Sequence, residues 1–210
     1  MMSTVIFGAG GHAKVVLDVA IASGHKIDFL VTNAVEQETV LGHSVVSTND
    51  PRWSDLRAFQ FLVAVGDNRA RARIFEELKA RGGEPITFVH PFTAVSKHTQ
   101  IGAGTTVCAG AVVNPATVIG ENCIINTSAS VDHDCIIGAH SHICPGVHLA
   151  GGVKVGVGTM IGTGAAVIPG ITIGENCTIG AGSVVVRDIP SGSVAYGSPC
   201  RVQPASALRK

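Results

Sequence analysis

The chain has 210 residues and balanced charge, 15 basic against 15 acidic, with no basic run. That balance gives no electrostatic support to nucleic-acid or membrane-surface binding. Hydrophobic residues make up 46%, aromatics only 4%, and 26 residues are glycine. This mixture suits many short β-branched strands joined by tight turns better than a core of large rings.

Met1 leads straight into the strand-like run Thr4-Val5-Ile6-Phe7, without the basic and apolar regions of a secretory signal. No stretch of about eighteen apolar residues offers a membrane span. Cys108, Cys123, Cys135, Cys144, Cys177 and Cys200 form no CxxC pair. They read as small apolar fillers in a reducing compartment, so a cytoplasmic location is expected.

Residues 1–85 alternate strand and helix signals. Val5-Ile6-Phe7 reads as a buried strand broken by Gly8-Ala9-Gly10-Gly11. His12 to Ser23 has helical spacing, with Val15, Val16, Val19 and Ala20 on one side and Gly24 as the stop. Ile27 to Val31 and Phe61 to Val65 read as further strands, and Asn68 to Arg81 as a charged helix ending at Gly82-Gly83. Strand, glycine turn, helix, strand is the pattern of a parallel βαβ unit. A Rossmann-like nucleotide-binding domain over 1–85 is therefore expected, with the boundary at Gly82-Gly83-Glu84-Pro85.

From Val89 the pattern changes. Every sixth residue from Val89 to Val185, seventeen in all, is Val, Ile or Leu, and glycine often follows directly, as at Gly102, Gly120 and Gly138. This is a solenoid: each aliphatic side chain points inward from a short strand, and three hexads make one triangular coil. Residues eighteen apart then stack on neighbouring coils and create one continuous core. The expected fold is an α/β domain followed by an all-β parallel β-helix over 86–210 with a short C-terminal tail. Glycine after the aliphatic position is read as permitting the corner.

Several segments together resemble a known family. They are Gly8-Ala9-Gly10-Gly11-His12-Ala13-Lys14, Val65-Gly66-Asp67-Asn68, Val131-Asp132-His133-Asp134, His142-Ile143-Cys144-Pro145-Gly146 and Tyr196-Gly197-Ser198-Pro199-Cys200-Arg201-Val202. In that order they resemble, over the whole chain, the PglD/NeuD group of sugar acetyltransferases, built on the left-handed β-helix of hexapeptide-repeat acyltransferases. The resemblance implies a homotrimer with active sites between subunits, acetyl-CoA as co-substrate and a nucleotide-linked 4-amino-4,6-dideoxy sugar as acceptor. It implies His133 as catalytic base, Asp134 as the acid that orients it, and Gly151 as a backbone N–H facing the acetyl carbonyl. Asn126 and His142 fall where the family contacts sugar and acetyl-CoA. Cys144 stands where a small residue such as alanine is common.

The chemistry also reads from the residues. Attack of an amine on a thioester needs a proton acceptor near neutrality, which histidine supplies. A neighbouring carboxylate, Asp134 or Asp132, fixes the tautomer and stabilises the imidazolium. Gly151 lies eighteen residues after His133, directly above it on the next coil, with no side chain to cover its N–H. The bland alternatives are a solvated polar corner for His133 and a left-handed corner residue for Asn126. His98, His140 and His148 read as surface or inter-subunit residues.

The Gly8-x-Gly10-x-x-Ala13 loop fits the dinucleotide fingerprint. The acidic residue that usually closes the second strand is missing, since Val31-Thr32-Asn33 stands there, which argues against a dehydrogenase. A nucleotide-sugar pyrophosphate would use the same amides, and the family resemblance implies the sugar nucleotide in this loop, with Gly10, Gly11, His12, Asp67 and Asn68 as contacts; a plain tight turn is the alternative. Arg187 and Arg201 near the C-terminus are candidates for the coenzyme A phosphates. Two other activities share the scaffold: O-acetylation of a sialic acid or related sugar, and a γ-type carbonic anhydrase with a histidine-bound zinc. No metal is expected.

Overall fold

A computed structural model describes residues 2–204, so the end of the expected tail, 205–210, lies outside the described residues. The first part is a six-stranded sheet built from β1 (Ser3–Phe7), β2 (Phe29–Thr32), β3 (Thr39–Val40), β4 (His43–Ser47), β5 (Phe59–Val63) and β6 (Glu84–Pro85), in the order β3-β4-β2-β1-β5-β6. All pairs are parallel except the β3–β4 hairpin. Helix α1 (Gly11–Ala22) covers one side, packing Val16, Leu17 and Ala20 against Ile6, Leu30 and Leu62. Helix α2 (Asn68–Ala80) and Trp53 cover the other side, with Phe7, Phe59, Phe61 and Phe75 between the layers.

The buried stripe of α1 is Ala13, Val16, Leu17, Val19 and Ala20, while Val15 is exposed. Three- and four-residue steps from Ala13 lead to Val16, Leu17 and Ala20, which turns Val15 away from the sheet. The β3–β4 hairpin, absent from the sequence reading, turns on Leu41 and Gly42, both at positive φ.

The second part is a left-handed β-helix of two-residue strands on three faces. The first face starts with Phe88–Val89 and rises through Thr106–Val107, Ile124–Ile125, His142–Ile143, Met160–Ile161 and Thr178–Ile179 to Val194–Tyr196 and Arg201–Val202. The second runs from Ala94–Val95 through Val112–Val113, Ser130–Val131, His148–Leu149 and Ala166–Val167 to Val184–Val185, and the third from Gln100–Ile101 to Thr172–Ile173. Strands eighteen residues apart pair in parallel register, as Val131 does with Leu149. Fourteen of the seventeen aliphatic positions are buried; only Val89, Val95 and Ile101, in the first coil, are half-buried.

A second inward column lies two residues before each aliphatic one and holds small side chains: Thr105, Thr117, Cys123, Cys135, Ser141 and Thr159 among them. Each hands a hydroxyl or thiol hydrogen to a carbonyl fifteen residues on, for example Thr117 Oγ1 to Asp132 O at 2.7 Å. These donors satisfy carbonyls that the tight corners leave without an inter-coil partner. All six cysteines are free and buried.

From Ile101 to Ile179 the left-handed corner conformation falls three residues after each aliphatic position, at Gly104, Gly110, Ala116, Asn122, Ser128, Asp134, His140, Gly146 and onward in sixes to Gly182. The glycines that directly follow the aliphatic residues do not have positive φ. They are needed because a Cβ there would meet the backbone of the next coil, at 2.5 Å for Gly138 against Val157 N. This corrects the expected reason for those glycines. Asn126 lies outside the left-handed series, which removes the bland reading of that residue.

The first face packs against the first part of the chain through α1, with Phe88 and Cys108 sharing a core with Val16 and Leu17. No helix among the described residues is long and apolar enough to cross a membrane.

Candidate active site

The segment Asp132-His133-Asp134 forms the corner between the second and third faces. Its backbone is pinned from several sides. Gly152 N–H donates to His133 O at 2.9 Å, Asp134 N–H donates to Pro115 O at 3.2 Å, and Thr117 holds the Asp132 carbonyl. The Asp132 carboxylate accepts from its neighbour's N–H, that of His133, at 2.8 Å and from the Asn114 amide one coil below at 2.7 Å. These bonds hold its carboxyl below the ordinary range.

Asp134 takes the left-handed conformation, φ 59°, which Asp tolerates better than most residues. From there its Oδ2 lies 2.7 Å from Nδ1 of His133. Only a protonated Nδ1 donates to a carboxylate, so Nε2 of the neutral ring carries the free lone pair. The Asp134 hydrogen bond, followed by the charge of Asp132, raises the His133 pKa above its ordinary value. The ring is well exposed, with 61% of the side-chain surface open.

Gly151 lies against this ring. A Cβ built on it would come within 2.6 Å of both Cε1 and Nε2 of His133. The Gly151 N–H makes no hydrogen bond among the described residues, although its carbonyl accepts from Gly170. Val185 pairs with Val167, so Arg187 tops the same corner column, three coils above His133. At about 4.8 Å per coil that separation is roughly 14 Å.

Asn126, His142, His12 and the glycine loop gather at a different place, where the corner between the first and second faces meets α1 and the end of β5. Asn126 Oδ1 accepts the Thr127 N–H at 2.8 Å, which orients the amide so that its nitrogen donates to His142 Nε2 at 3.0 Å. His142 Nδ1 therefore carries the hydrogen, is buried and has no partner among the described residues. The His12 ring stands 6.2 Å away, centroid to centroid, with its own Nε2 buried and unpartnered. Burial, then the Arg71 charge, depresses His12 to about 4 and His142 to about 3. Both are neutral hydrogen-bonding groups at neutral pH.

Next to them a cleft of about 480 Å³ is lined by Gly8 to His12, Thr32, Asn33, Glu36, Gln37, Val65 and Gly66. Gly8 at φ 123° leaves no room for a side chain, since a Cβ would lie 2.7 Å from Ala64 O. Helix α1 starts at the cleft with Gly10 as its cap, and no side chain occupies the free N–H groups of its first turn. Such an end favours an anion.

Asp67 and Asn68 do not line this cleft. Asp67 caps α2 through Ala70 N at 2.7 Å, and Asn68 is buried, holding Gly158 O at 3.0 Å and Arg71. Both border a separate hollow of about 260 Å³. Arg201 is exposed, with Nη1 on its neighbour's carbonyl, Cys200 O, and pairs across to Tyr196 on the first face. His133, His140, His142 and His148 are spread over separate corners and faces. Among the described residues, Glu76, Glu121 and His140 come together, and Lys79 already pairs with Glu121 at 2.7 Å. Arg71, absent from the sequence reading, is the largest charged group buried near the site.

The family model described as PglD N-terminal domain matches residues 4–78, and bacterial transferase hexapeptide (six repeats) matches 116–151 and 152–187. PerB from Caulobacter crescentus, solved with CoA and GDP-perosamine, is 40% identical, with 96% of this chain and 97% of that chain covered and a TM-score of 0.88. The acetyltransferase domain of PglB from Neisseria gonorrhoeae is 39% identical, with 97% and 100% covered and a TM-score of 0.90. WeeI from Acinetobacter baumannii, 23% identical with 97% and 100% covered and a TM-score of 0.87, shares the fold. No curated protein matches the chain.

Proposed function

The chain belongs to the hexapeptide-repeat sugar acetyltransferases that carry a PglD N-terminal domain, and from that premise we propose that it moves the acetyl group of acetyl-CoA to the 4-amino group of a nucleotide-linked 4-amino-4,6-dideoxy sugar. The observation that carries the reading is the triple of Asp134, His133 and the uncovered Gly151 N–H on stacked corners. Nε2 of His133 takes the proton from the sugar amine as its nitrogen attacks the thioester carbonyl. The Gly151 N–H donates to the oxygen that becomes negative. Asp134 steadies the imidazolium through Nδ1, and collapse expels the coenzyme A thiolate, which takes the proton back from His133 Nε2 and leaves the ring neutral. Support comes from PerB, a perosamine N-acetyltransferase crystallised with CoA and GDP-perosamine also as histidine-substituted forms.

In this reading the 480 Å³ cleft takes the nucleotide sugar, its pyrophosphate on the amides of Gly10, Gly11 and His12. Acetyl-CoA runs along the His133 corner toward Arg187, a separation that suits the reach from thioester to diphosphate. Arg201 is a second candidate for those phosphates. His133 and the Asn126–His142 pair occupy opposite edges of the second face, and one chain cannot close them on one substrate. A homotrimer that sets one edge of the second face against the other edge of the next copy resolves this. The small outward residues Ala94, Ser130 and Ala166, together with the exposed Phe92, suit that face to contact. Residues 1–85 would then be the nucleotide-sugar domain and 86–210 the acetyltransferase domain.

The test is thiol release from acetyl-CoA with UDP-, GDP- and dTDP-linked 4-amino-4,6-dideoxy sugars, alongside free and CMP-linked sialic acid. Release with an amino sugar supports the proposal and identifies the nucleotide. Release only with a hydroxyl acceptor replaces it with O-acetylation.

A further inference from the structure

Arg71 lies on α2 and is 1% exposed. Its guanidinium meets six acceptors. Nε donates to Asn122 O at 3.1 Å; Nη1 donates to Val65 O at 3.1 Å and Gly66 O at 3.3 Å. Nη2 donates to Asn68 Oδ1 at 2.9 Å, His140 O at 2.7 Å and Ser141 O at 3.4 Å. No carboxylate pairs with it among the described residues. Removing such a cation from water is costly, and here every hydrogen-bond acceptor that offsets the cost is a neutral oxygen.

Those oxygens belong to two different structures. Val65 and Gly66 form a wall of the nucleotide cleft. Asn122, His140 and Ser141 sit on two successive coils of the β-helix, and Ser141 directly precedes His142. One rigid planar group thus joins the cleft wall to the strand that presents His142. A lysine could not replace it, having three donors on a point charge instead of five in a fixed fork.

We propose that Arg71 is a positioning residue for acetyl transfer, fixing the nucleotide-sugar cleft in register with the Asn126–His142 corner. The inference rests on the proposed function for its kinetic consequence, and on the hydrogen-bond geometry alone for its structural one. Its charge also helps keep His12 and His142 unprotonated, so both remain available to a polar substrate.

Arg71→Lys and Arg71→Met test it, with two readouts. Amide hydrogen exchange on the ligand-free protein should quicken at Val65 to Asn68, and stay unchanged in the upper coils. Steady-state kinetics with whichever nucleotide amino sugar the unaltered protein acetylates should give a KM for that sugar raised about tenfold or more, with the KM for acetyl-CoA unchanged. The lysine variant should lie between. Uniformly faster exchange, or a fall in kcat matching the folded fraction with both KM values unchanged, would overturn the proposal and leave Arg71 a stabilising residue only. Absence of any turnover by the unaltered protein counts against the proposed function instead, and the exchange experiment then decides the role of Arg71.

Discussion

Gly151 sits one coil above His133 with its α-carbon facing the imidazole, so that a Cβ at 151 would stand 2.6 Å from Nε2. Gly151 does not have positive φ, and an alanine there carries no backbone strain. The clash falls on an exposed ring that can swing away, but swinging breaks the 2.7 Å bond to Asp134. Gly151→Ala should therefore keep the melting temperature within a few degrees and lower kcat about ten- to a hundredfold. Thermal unfolding and initial rates on the same sample check this. Unimpaired turnover would remove the close contact from the mechanism.

The Asp134 bond also sets a pH dependence. A base must be neutral to act, and Asp134 raises the pKa of His133, so kcat/KM should rise with pH through an inflection above the ordinary histidine value. In Asp134→Asn the largest cause of the shift is gone, and the acid limb should move to lower pH while the plateau falls. A limb that stays in place would assign it to another group.

The assignment of the two half-sites to different subunits is testable by mixing. His133→Ala and His142→Ala chains should each be nearly inactive alone. Unfolded together and refolded, a random trimer would rebuild about a quarter of its sites from one intact corner of each kind. No recovery, with mixed trimers verified by mass, would mean that each site is completed within one chain.

Much of this architecture was legible because a solenoid writes its core into a strict period. The aliphatic residue every six positions identifies the coil, and spacing of eighteen already stacks Gly151 on His133. The left-handed corners were legible in principle, since Asn122, Asn176 and a run of glycines recur three residues after the aliphatic ones, but Ala116 and His140 in the same series blur the pattern. Arg71 was not legible. Arg69-Ala70-Arg71-Ala72-Arg73 reads as one charged surface, and the β-helix carbonyls that bind Arg71 lie 51 to 70 residues further along, without side-chain identity to announce them. Asp67 is ambiguous for a different reason, because a helix cap, which it is here, and a substrate contact draw on the same residue type.

The buried histidines make stability fall in acid. His12 has a folded pKa of about 4 and His142 of about 3, against 6.5 for the ordinary group. The folded state therefore binds fewer protons than the unfolded chain below pH 6.5. The stability is complete above that value and is lost as pH falls toward 4 for His12 and 3 for His142. By pH 5 each should cost about 2 kcal/mol relative to neutral pH. Urea midpoints at pH 7 and pH 5 measure the loss, and His12→Gln should shrink it. An equal loss in that variant would place the acid sensitivity elsewhere.

Corner glycines give a prediction that a reading by φ alone would reverse. Gly146 has φ 65° but open space around its missing Cβ, and the chain places Ala116 at the same hexad position of another corner with φ 61°. Gly146→Ala should cost only about 1 kcal/mol, the ordinary penalty of the left-handed region. Gly138 has no positive φ, yet its Cβ would press on Val157 N at 2.5 Å and Gly156 C at 2.8 Å, which are backbone atoms that cannot rotate away. Accommodating it means prising two coils apart, at the cost of the hydrogen bond from Gly138 N–H to Val155 O, now 2.7 Å. Gly138→Ala should then cost about 3 kcal/mol or more. Denaturant unfolding of the two variants side by side decides it. A larger loss at Gly146 would mean that conformation, not the spacing between coils, selects glycine in this helix.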